Sequence, residues 1–159
     1  MASLEQEIGD WLRQKGLTLG AVESASGGLI SHRVTNVPGS SDYYKGSITS
    51  YSNDVKIKVV GVKAETLNRY GAVSPQVAEE MAAGGRKVLG VDICIADTGV
   101  AGPAGATPGK PVGLFYLGLS YRGGTFSRKH NFQGSREQNK ESAAEAALAW
   151  LKEYLLSLK

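Results

Sequence analysis

The chain has 159 residues, of which 42% are hydrophobic and 21% are charged, and its formal net charge is +3. This composition is typical of a globular chain, and the length predicts one domain over residues 1–159. The basic excess is small, and no Arg/Lys stripe with interleaved aromatics accompanies it, so we expect no nucleic-acid partner.

The first third of the chain alternates between helical and extended patterns. Apolar residues at three- and four-residue spacing predict a helix over 3–15 that ends at Gly16. Strands are predicted over 17–23 and 42–52, with a loop and a short helix between them. The acidic, amphipathic N-terminus is unlike a signal peptide, and no segment reaches the ~18 apolar residues of a membrane span. We therefore expect a cytoplasmic protein without membrane contact.

The middle of the chain contains two clear helix starts. Ser52 or Asn53 is expected to cap a short helix, and Ser74 is expected to cap a longer one that ends at Gly90. The apolar run over 91–97 predicts a buried strand, so Cys94 within it is interpreted as packing rather than as a nucleophile. One cysteine and two histidines form neither an internal disulfide nor a convincing zinc site.

The last third predicts a long loop, a hairpin and a terminal helix. The glycine-rich loop covers 98–110, and loops of this length in compact domains are usually functional or disordered. The segments 111–122 and 125–133 predict a hairpin, and 137–158 predicts a helix. The order of elements predicts an α/β/α three-layer sandwich with a mixed, mostly parallel sheet and a late hairpin.

Two segments carry most of the functional signal. ESASGG, from Glu23 to Gly28, follows a strand and precedes a helix, where amides bind anions; a plain turn capped by Ser26 explains it as well. SYSNDVK places Lys56 in the first turn of a helix, against the macrodipole. Lys58 lies roughly 200° further round, so one lysine can be solvated while the other faces the sheet. A desolvated lysine has the lowered pKa that a base for serine needs, although two solvated lysines remain the simpler interpretation.

Three further segments have ordinary structural explanations. PGSSDYY is typical of a turn in which the serines bond locally. DTGVAGPAG follows the most apolar strand, so it lies at a strand carboxyl end. GSREQ has the pattern of a capping box from Ser135 to Gln138. It places Arg136 at the amino end of a helix, where a positive charge opposes the macrodipole, so either a bound anion or plain surface exposure accounts for Arg136.

Taken in order, these segments resemble the CinA C-terminal domain, the nicotinamide-nucleotide amidohydrolase (NMN deamidase) family. The resemblance runs from about residue 3 to residue 158 and is similar to the stand-alone form, without the additional N-terminal domain of longer members. It implies hydrolysis of the carboxamide of nicotinamide mononucleotide (NMN), which yields nicotinate mononucleotide and ammonia. It implies neither a metal nor an organic cofactor.

The resemblance also assigns residues to the family's functional positions. These are Ser24, Ser41, Tyr51, Lys56, Thr98 and Arg136. The chain departs from the family pattern at Ala25, where cysteine is frequent, at Ser26, where threonine is, and at Asp97, where an uncharged residue is usual. An aspartate at that position is expected to raise the pKa of a neighbouring lysine.

The mechanistic hypothesis makes Lys56 a general base for an attacking serine. Ser24 and Ser41 both qualify as the nucleophile, and we slightly favour Ser41, which leaves Ser24 to orient the substrate. Tyr51 is expected to relay a proton or to face the pyridinium ring.

The other site residues are expected to hold the substrate. Thr98 and the loop containing Gly99 and Gly102 would hold the amide oxygen. Arg136, with the amides of Gly27 and Gly28, would bind the phosphate.

Two alternatives to NMN hydrolysis stay open. The first is a nucleotide sensor or interaction module without catalysis, linked to competence or DNA damage. The second is free nicotinamide as the substrate, although it offers no phosphate to Arg136. For a small soluble enzyme, a homodimer or higher homo-oligomer is the expected assembly.

Overall fold

The computed structural model describes residues 1–158, and its elements follow the predicted order. The strands are β1 (Leu19–Glu23), β2 (Tyr44–Thr49), β3 (Ile93–Gly99), β4 (Leu114–Tyr121) and β5 (Gly124–Asn131). The helices are α1 (Leu4–Lys15), α2 (Leu29–Thr35), α3 (Asn53–Val55), α4 (Ala64–Tyr70), α5 (Pro75–Leu89) and α6 (Arg136–Ser157). A 3₁₀ turn, Ser40–Asp42, precedes β2, and a π turn, Lys56–Val60, continues α3.

The five strands form one mixed sheet in the order β2-β1-β3-β4-β5. β1 pairs in parallel with both β2 and β3, whereas β4 is antiparallel to β3 and to β5. Four strands therefore run in one direction and only β4 opposes them. The predicted mixed, mostly parallel sheet with a late hairpin is confirmed.

Helices cover both faces of the sheet. On one face, Leu12 of α1, Ile30 of α2 and Leu148 of α6 pack against Ile95 of β3 in a single buried cluster. On the other face, Met81 of α5 belongs to a second buried cluster that includes Val22, Val60 and Cys94. The predicted α/β/α layering is confirmed. Burial raises the pKa of the Cys94 thiol to about 12, which is consistent with a packing role.

Most predicted helix ends are confirmed by their caps. Ser3 and Gly16 bound α1, Ser74 precedes Pro75 at the start of α5, and Ser135 forms a capping box with Gln138 at α6. No helix within residues 1–158 combines the length and apolar character needed to cross a bilayer.

Several predicted strand boundaries differ from the structure. β1 begins at Leu19 rather than at residue 17, β2 covers Tyr44–Thr49 rather than 42–52, and β4 begins at Leu114 rather than at residue 111. Two further differences involve pairing with β4. β3 continues through Thr98 and Gly99, so the glycine-rich loop begins only at Val100. Gly124, expected in the hairpin turn, is the first residue of β5. In both cases pairing with β4 extends the strand past the residues at which local propensity would end it.

Candidate active site

The candidate site lies where β1 and β3 end side by side. β1 connects onward to β2 on one side of the sheet, whereas β3 connects to β4 on the other. Diverging connections of this kind open a crevice at the carboxyl ends of the strands. A cleft of about 320 Å³ occupies this crevice. Its lining includes Ser24, Tyr51, Asn53, Lys56, Thr98, Gly99 and Arg136.

Lys56 reaches into the floor of this cleft. Its side chain is almost fully buried, at 1% exposure, and Nζ lies 3.0 Å from Ser24 Oγ. The same nitrogen contacts the carbonyl oxygens of Ser50 at 2.7 Å and Tyr51 at 3.1 Å. Lys58, by contrast, is exposed and pairs with Asp54. The two lysines thus point to different sides, as their helical spacing predicted.

The local backbone explains how a lysine becomes buried here. Ser52 is extended and caps α3 by accepting a hydrogen bond from the Val55 amide. The helix then continues as a π turn, a form found frequently at functional sites. Val60 anchors this turn in the core, and α5 can approach it closely because Gly84 has no side chain. A Cβ on Gly84 would lie 2.2 Å from the Val60 carbonyl oxygen.

Burial makes the Lys56 amine a better base. Desolvation lowers the pKa of Lys56 from its ordinary value, and the charge of Asp97 opposes this shift as the smaller effect. The direction of the Asp97 effect agrees with the sequence-based expectation. Lys56 therefore combines a depressed pKa with direct contact to a hydroxyl, which is what an activated serine requires.

The loop that carries Ser24 is held by two carboxyl groups that are fully buried. Asp97 accepts hydrogen bonds from the amides of Ser24 and Ser26, at 3.1 and 2.9 Å. Glu23 accepts hydrogen bonds from three amides at the start of α2, those of Gly28, Ile30 and Ser31. The Ser26 hydroxyl contacts both carboxyl groups.

Tyr51 and Arg136 form the rim of the cleft. Arg136 donates to the Gly102 carbonyl at 3.0 Å and to the Tyr51 hydroxyl at 3.3 Å, and Tyr51 is exposed. Thr98 lies deeper, with its hydroxyl donating to the Ala72 carbonyl at 2.7 Å. The structure thus brings five predicted residues, Ser24, Tyr51, Lys56, Thr98 and Arg136, together with Gly99, around one cleft.

The structure does not bring Ser41 to Lys56, so the favoured Ser41–Lys56 pairing is wrong. Ser41 lies in the exposed 3₁₀ turn before β2, at the amino end of the sheet. Lys56 follows the carboxyl end of the same strand. The six residues of β2, about 20 Å of strand at ~3.3 Å per residue, lie between the two positions.

Gly27 and Gly28 do not line the same cleft as Arg136, so the phosphate site expected to combine them is not seen either. Both glycines line a neighbouring groove of about 430 Å³, which also contains Lys140. Their amides already have acceptors, since Gly27 donates to the Ser24 carbonyl and Gly28 donates to Glu23. The anion that the start of α2 attracts is therefore the protein's own carboxylate.

Other cleft residues carried no separate signal in the sequence. The Ser50 carbonyl holds the lysine through its backbone, which no side-chain pattern reveals. Asn53 lines the cleft beside Tyr51, and the SND pattern indicated only a helix cap. Ala72 enters from the loop before α5, far away in sequence.

A larger groove elsewhere on the surface is less suited to chemistry. It measures about 870 Å³ and lies between the helices of one face. Its one arginine is already paired, because Arg33 contacts Glu5 at 2.7 Å and Glu145 at 2.9 Å. Within residues 1–158, no group of three or more His, Cys, Asp or Glu side chains is placed to hold a metal ion.

Comparison with known proteins gives consistent matches along the chain. The family model of the CinA C-terminal domain matches residues 1–155. A relative from Moorella thermoacetica, which carries the name competence-damage inducible protein, is 49% identical over 146 residues, covering 92% of this chain and 35% of that protein. A CinA-like protein from Kosmotoga olearia is 46% identical over 156 residues, covering 98% of this chain and 38% of that protein.

Solved structures share the fold. The crystal structure of competence damage-inducible protein A from Klebsiella pneumoniae superposes with a TM-score of 0.95 at 32% identity, covering 98% of this chain and 97% of that one. The chain spans between a third and two fifths of the length of the curated relatives described above.

Proposed function

We propose that this chain, which belongs to the CinA C-terminal domain family, hydrolyses the carboxamide of nicotinamide mononucleotide to nicotinate mononucleotide and ammonia. In this proposal Ser24 is the nucleophile and Lys56 is the general base. The observation that carries it is the 3.0 Å contact between the buried Lys56 amine and the Ser24 hydroxyl, on the floor of the cleft.

The contacts of Lys56 fit an uncharged amine. A neutral amine has two N–H donors and one lone pair, whereas an ammonium has three donors and no lone pair. The carbonyl oxygens of Ser50 and Tyr51 can only accept, so they take the two donors. The third contact, Ser24, has a hydroxyl that can donate to the lone pair. A hydroxyl that donates to an amine is positioned to lose its proton to that amine.

The proposed reaction has two half-reactions with Lys56 as the shuttle. Ser24 Oγ attacks the carboxamide carbon while its proton passes to Lys56 Nζ. Lys56 then protonates the departing nitrogen, the C–N bond breaks, and ammonia leaves an ester on Ser24. In the second half, Lys56 deprotonates a water molecule that attacks the ester carbon. The ester C–O bond breaks, the proton returns to Ser24, and nicotinate mononucleotide is released.

The remaining cleft residues have roles that follow from their positions. The negative oxygen of the tetrahedral intermediate would be held by backbone amides that border the cleft, including that of Ala25. Thr98 would contribute once its hydroxyl turns from the Ala72 carbonyl toward this oxygen. Arg136 offers a guanidinium to the phosphate at the rim. Tyr51 presents an exposed ring that suits the cationic pyridinium.

The experiment is ammonia release from NMN by the purified chain, with Ser24→Ala and Ser41→Ala as a matched pair. We expect Ser24→Ala to abolish detectable turnover and to prevent a covalent adduct in mass spectra of quenched reactions. Ser41→Ala should retain wild-type turnover, since Ser41 lies at the other end of the sheet. Loss of turnover in Ser41→Ala but not in Ser24→Ala would exclude the proposed nucleophile.

A non-catalytic sensor gives a different result in the same assay. If the wild-type chain binds NMN but releases no ammonia, the amidohydrolase proposal fails and nucleotide sensing becomes the better account. If free nicotinamide is hydrolysed as fast as NMN, the phosphate contact with Arg136 is not part of recognition.

A further inference from the structure

Ser26 lies between two buried carboxyl groups behind the candidate site. Its Oγ is 2.7 Å from a carboxyl oxygen of Glu23 and in hydrogen-bond contact with Asp97. Glu23 and Asp97 are both 0% exposed, and Ser26 is 1% exposed. All three groups are therefore shielded from solvent and must find their hydrogen bonds within the protein.

The number of protons in this arrangement is fixed by simple counting. A serine hydroxyl has one proton, so it can donate to only one carboxylate. Its contact with the second carboxyl group is a hydrogen bond only if that group is protonated and donates to Oγ. Two ionised carboxylates on either side of one hydroxyl would leave a buried contact without a proton, which is strongly unfavourable.

The backbone indicates which carboxyl group holds the extra proton. Glu23 accepts three amide hydrogen bonds, all from residues at the amino end of α2. With three amides donating to it, the Glu23 carboxyl group acts as a hydrogen-bond acceptor. Asp97 accepts only two amides, from Ser24 and Ser26. Glu23 is therefore the carboxylate that accepts from Ser26, and Asp97 is the acid.

We propose that Asp97 is a positioning residue that works in its protonated form, in a relay in which Asp97 donates to Ser26 and Ser26 donates to Glu23. The relay holds the Ser24 amide in place and keeps negative charge away from Lys56. This inference rests on the proposed function for its catalytic consequence, but the location of the proton does not.

The charges around Asp97 agree with this assignment. The charged groups that face it are Glu23 from β1 and Lys56 from the π turn, and its pairing neighbour on β4 is Leu117. Burial raises the pKa of Asp97 to about 6, and the charge of Glu23 adds to the shift. In the relay Ser26 accepts a hydrogen bond from Asp97, which favours the protonated form of Asp97 as well.

The catalytic consequence concerns the state of Lys56. An ionised Asp97 raises the pKa of Lys56 and favours the ammonium, which cannot act as a base. A protonated Asp97 removes this upward effect on the pKa of Lys56 and so favours the neutral amine. Activity should therefore rise with pH as Lys56 becomes neutral and fall again as Asp97 ionises, which produces a bell-shaped profile.

The first experiment measures the proton directly. Aspartate labelled with ¹³C at the side-chain carboxyl gives five signals in this chain, and Asp97→Asn identifies the one from Asp97. We expect the Asp97 signal to titrate with a midpoint of 6 or higher. A midpoint below 6 overturns the proposal, whether or not the chain hydrolyses NMN.

The second experiment tests the catalytic consequence with two variants. Asp97→Asn keeps an uncharged donor toward Ser26 and an acceptor for the Ser26 amide, but its Nδ2 replaces the oxygen that accepts from the Ser24 amide. It should therefore keep a measurable part of kcat and lose the fall in activity at high pH. Asp97→Ala lacks both groups and should be at least about tenfold slower than Asp97→Asn. The positioning role is refuted if the two variants are equally active, or if Asp97→Asn keeps the bell-shaped pH dependence of the wild type.

The two failures can be told apart. If the wild-type chain releases no ammonia from NMN, the proposed function fails while the carboxyl titration still decides where the proton resides. If ammonia is released and the Asp97 midpoint lies below 6, only the relay is wrong.

Discussion

Replacing Lys56 by methionine is expected to lower kcat for ammonia release from NMN by ~10²–10⁴-fold, the usual cost of losing a general base. Methionine has nearly the length of lysine without the amine, so it fills the same space in a position that is 1% exposed. Ser24 keeps its place in the loop because its amide is still held by Asp97. The loss therefore falls on proton transfer rather than on the position of the nucleophile.

The effect of this substitution on stability must be separated from its effect on catalysis. The Ser50 and Tyr51 carbonyls each lose a donor, and an unsatisfied buried acceptor costs ~1–3 kcal/mol. Removing a buried amine offsets part of this cost. Thermal unfolding followed by circular dichroism shows whether the variant is folded at the assay temperature, and activity is compared only where it is.

Lys58→Met is the matched control for Lys56→Met. Lys58 lies two residues away on the same turn, is 73% exposed, and pairs only with Asp54 on the surface. Exposed ion pairs contribute at most ~1 kcal/mol, so we expect this variant to melt close to the wild type and to keep its kcat. If folded Lys56→Met retains kcat within tenfold of the wild type, the amine is not the base and the Ser24–Lys56 mechanism is refuted.

Three further predictions concern residues around the pair. Arg136→Ala should raise KM for NMN at least ~tenfold with little change in kcat, since it removes a contact at the rim; steady-state kinetics that give an unchanged KM would exclude phosphate binding there. Asp97 has a raised native pKa, from 3.8 to about 6, so its contribution to stability is full below pH ~3.8 and is lost as the pH rises through about 6. Between pH 3.5 and 8, urea unfolding should show the wild type losing ~3 kcal/mol more than Asp97→Asn, and parallel curves would contradict the shift. Gly84→Ala would place a Cβ 2.2 Å from the Val60 carbonyl oxygen, so it should displace the π turn that carries Lys56. We expect kcat to fall even at temperatures where the variant is fully folded, and an unchanged kcat would show that the turn tolerates the shift.

Local signals were sufficient to predict most of the fold. Ser74 followed by Pro75, and Ser135 followed by Gln138, are helix starts whose hydrogen bonds close within one turn, so no distant contact is needed to recognise them. Strand ends depend on partners instead. β3 extends to Gly99 because its pairing with β4 continues through Thr98 and Gly99, and that partner strand comes later in the chain.

The inward position of Lys56 was predictable because helical spacing separates it from Lys58. The predicted pairing of Lys56 with Ser41 was wrong. Ligand sites in α/β sheets lie at the carboxyl ends of strands, where Ser24 is found, whereas Ser41 precedes a strand. Applied to both serines, the same rule excludes Ser41 on the strength of the predicted strands alone.

The roles of the buried carboxyl groups were not accessible from the sequence. Glu23 has the pattern of the last residue of an apolar strand, and only the fold turns its side chain toward the first amides of α2. Glu23 lies five to eight positions before the residues whose amides it binds. A glycine-rich loop before a helix indicates an anion site in the sequence. It does not indicate that a carboxylate of the protein itself occupies that site.

This internal carboxylate also determines how a nucleotide can enter the site. Because Glu23 already occupies the amino end of α2, a phosphate there would meet a negative charge rather than free amides. The positive group at the rim of the cleft that contains Ser24 is Arg136, held in place by Gly102 and Tyr51. A nucleotide with its phosphate at Arg136 would direct its ring past Tyr51 and its carboxamide down toward Ser24. The same carboxylate that removes one anion site thereby favours the orientation that the proposed hydrolysis requires.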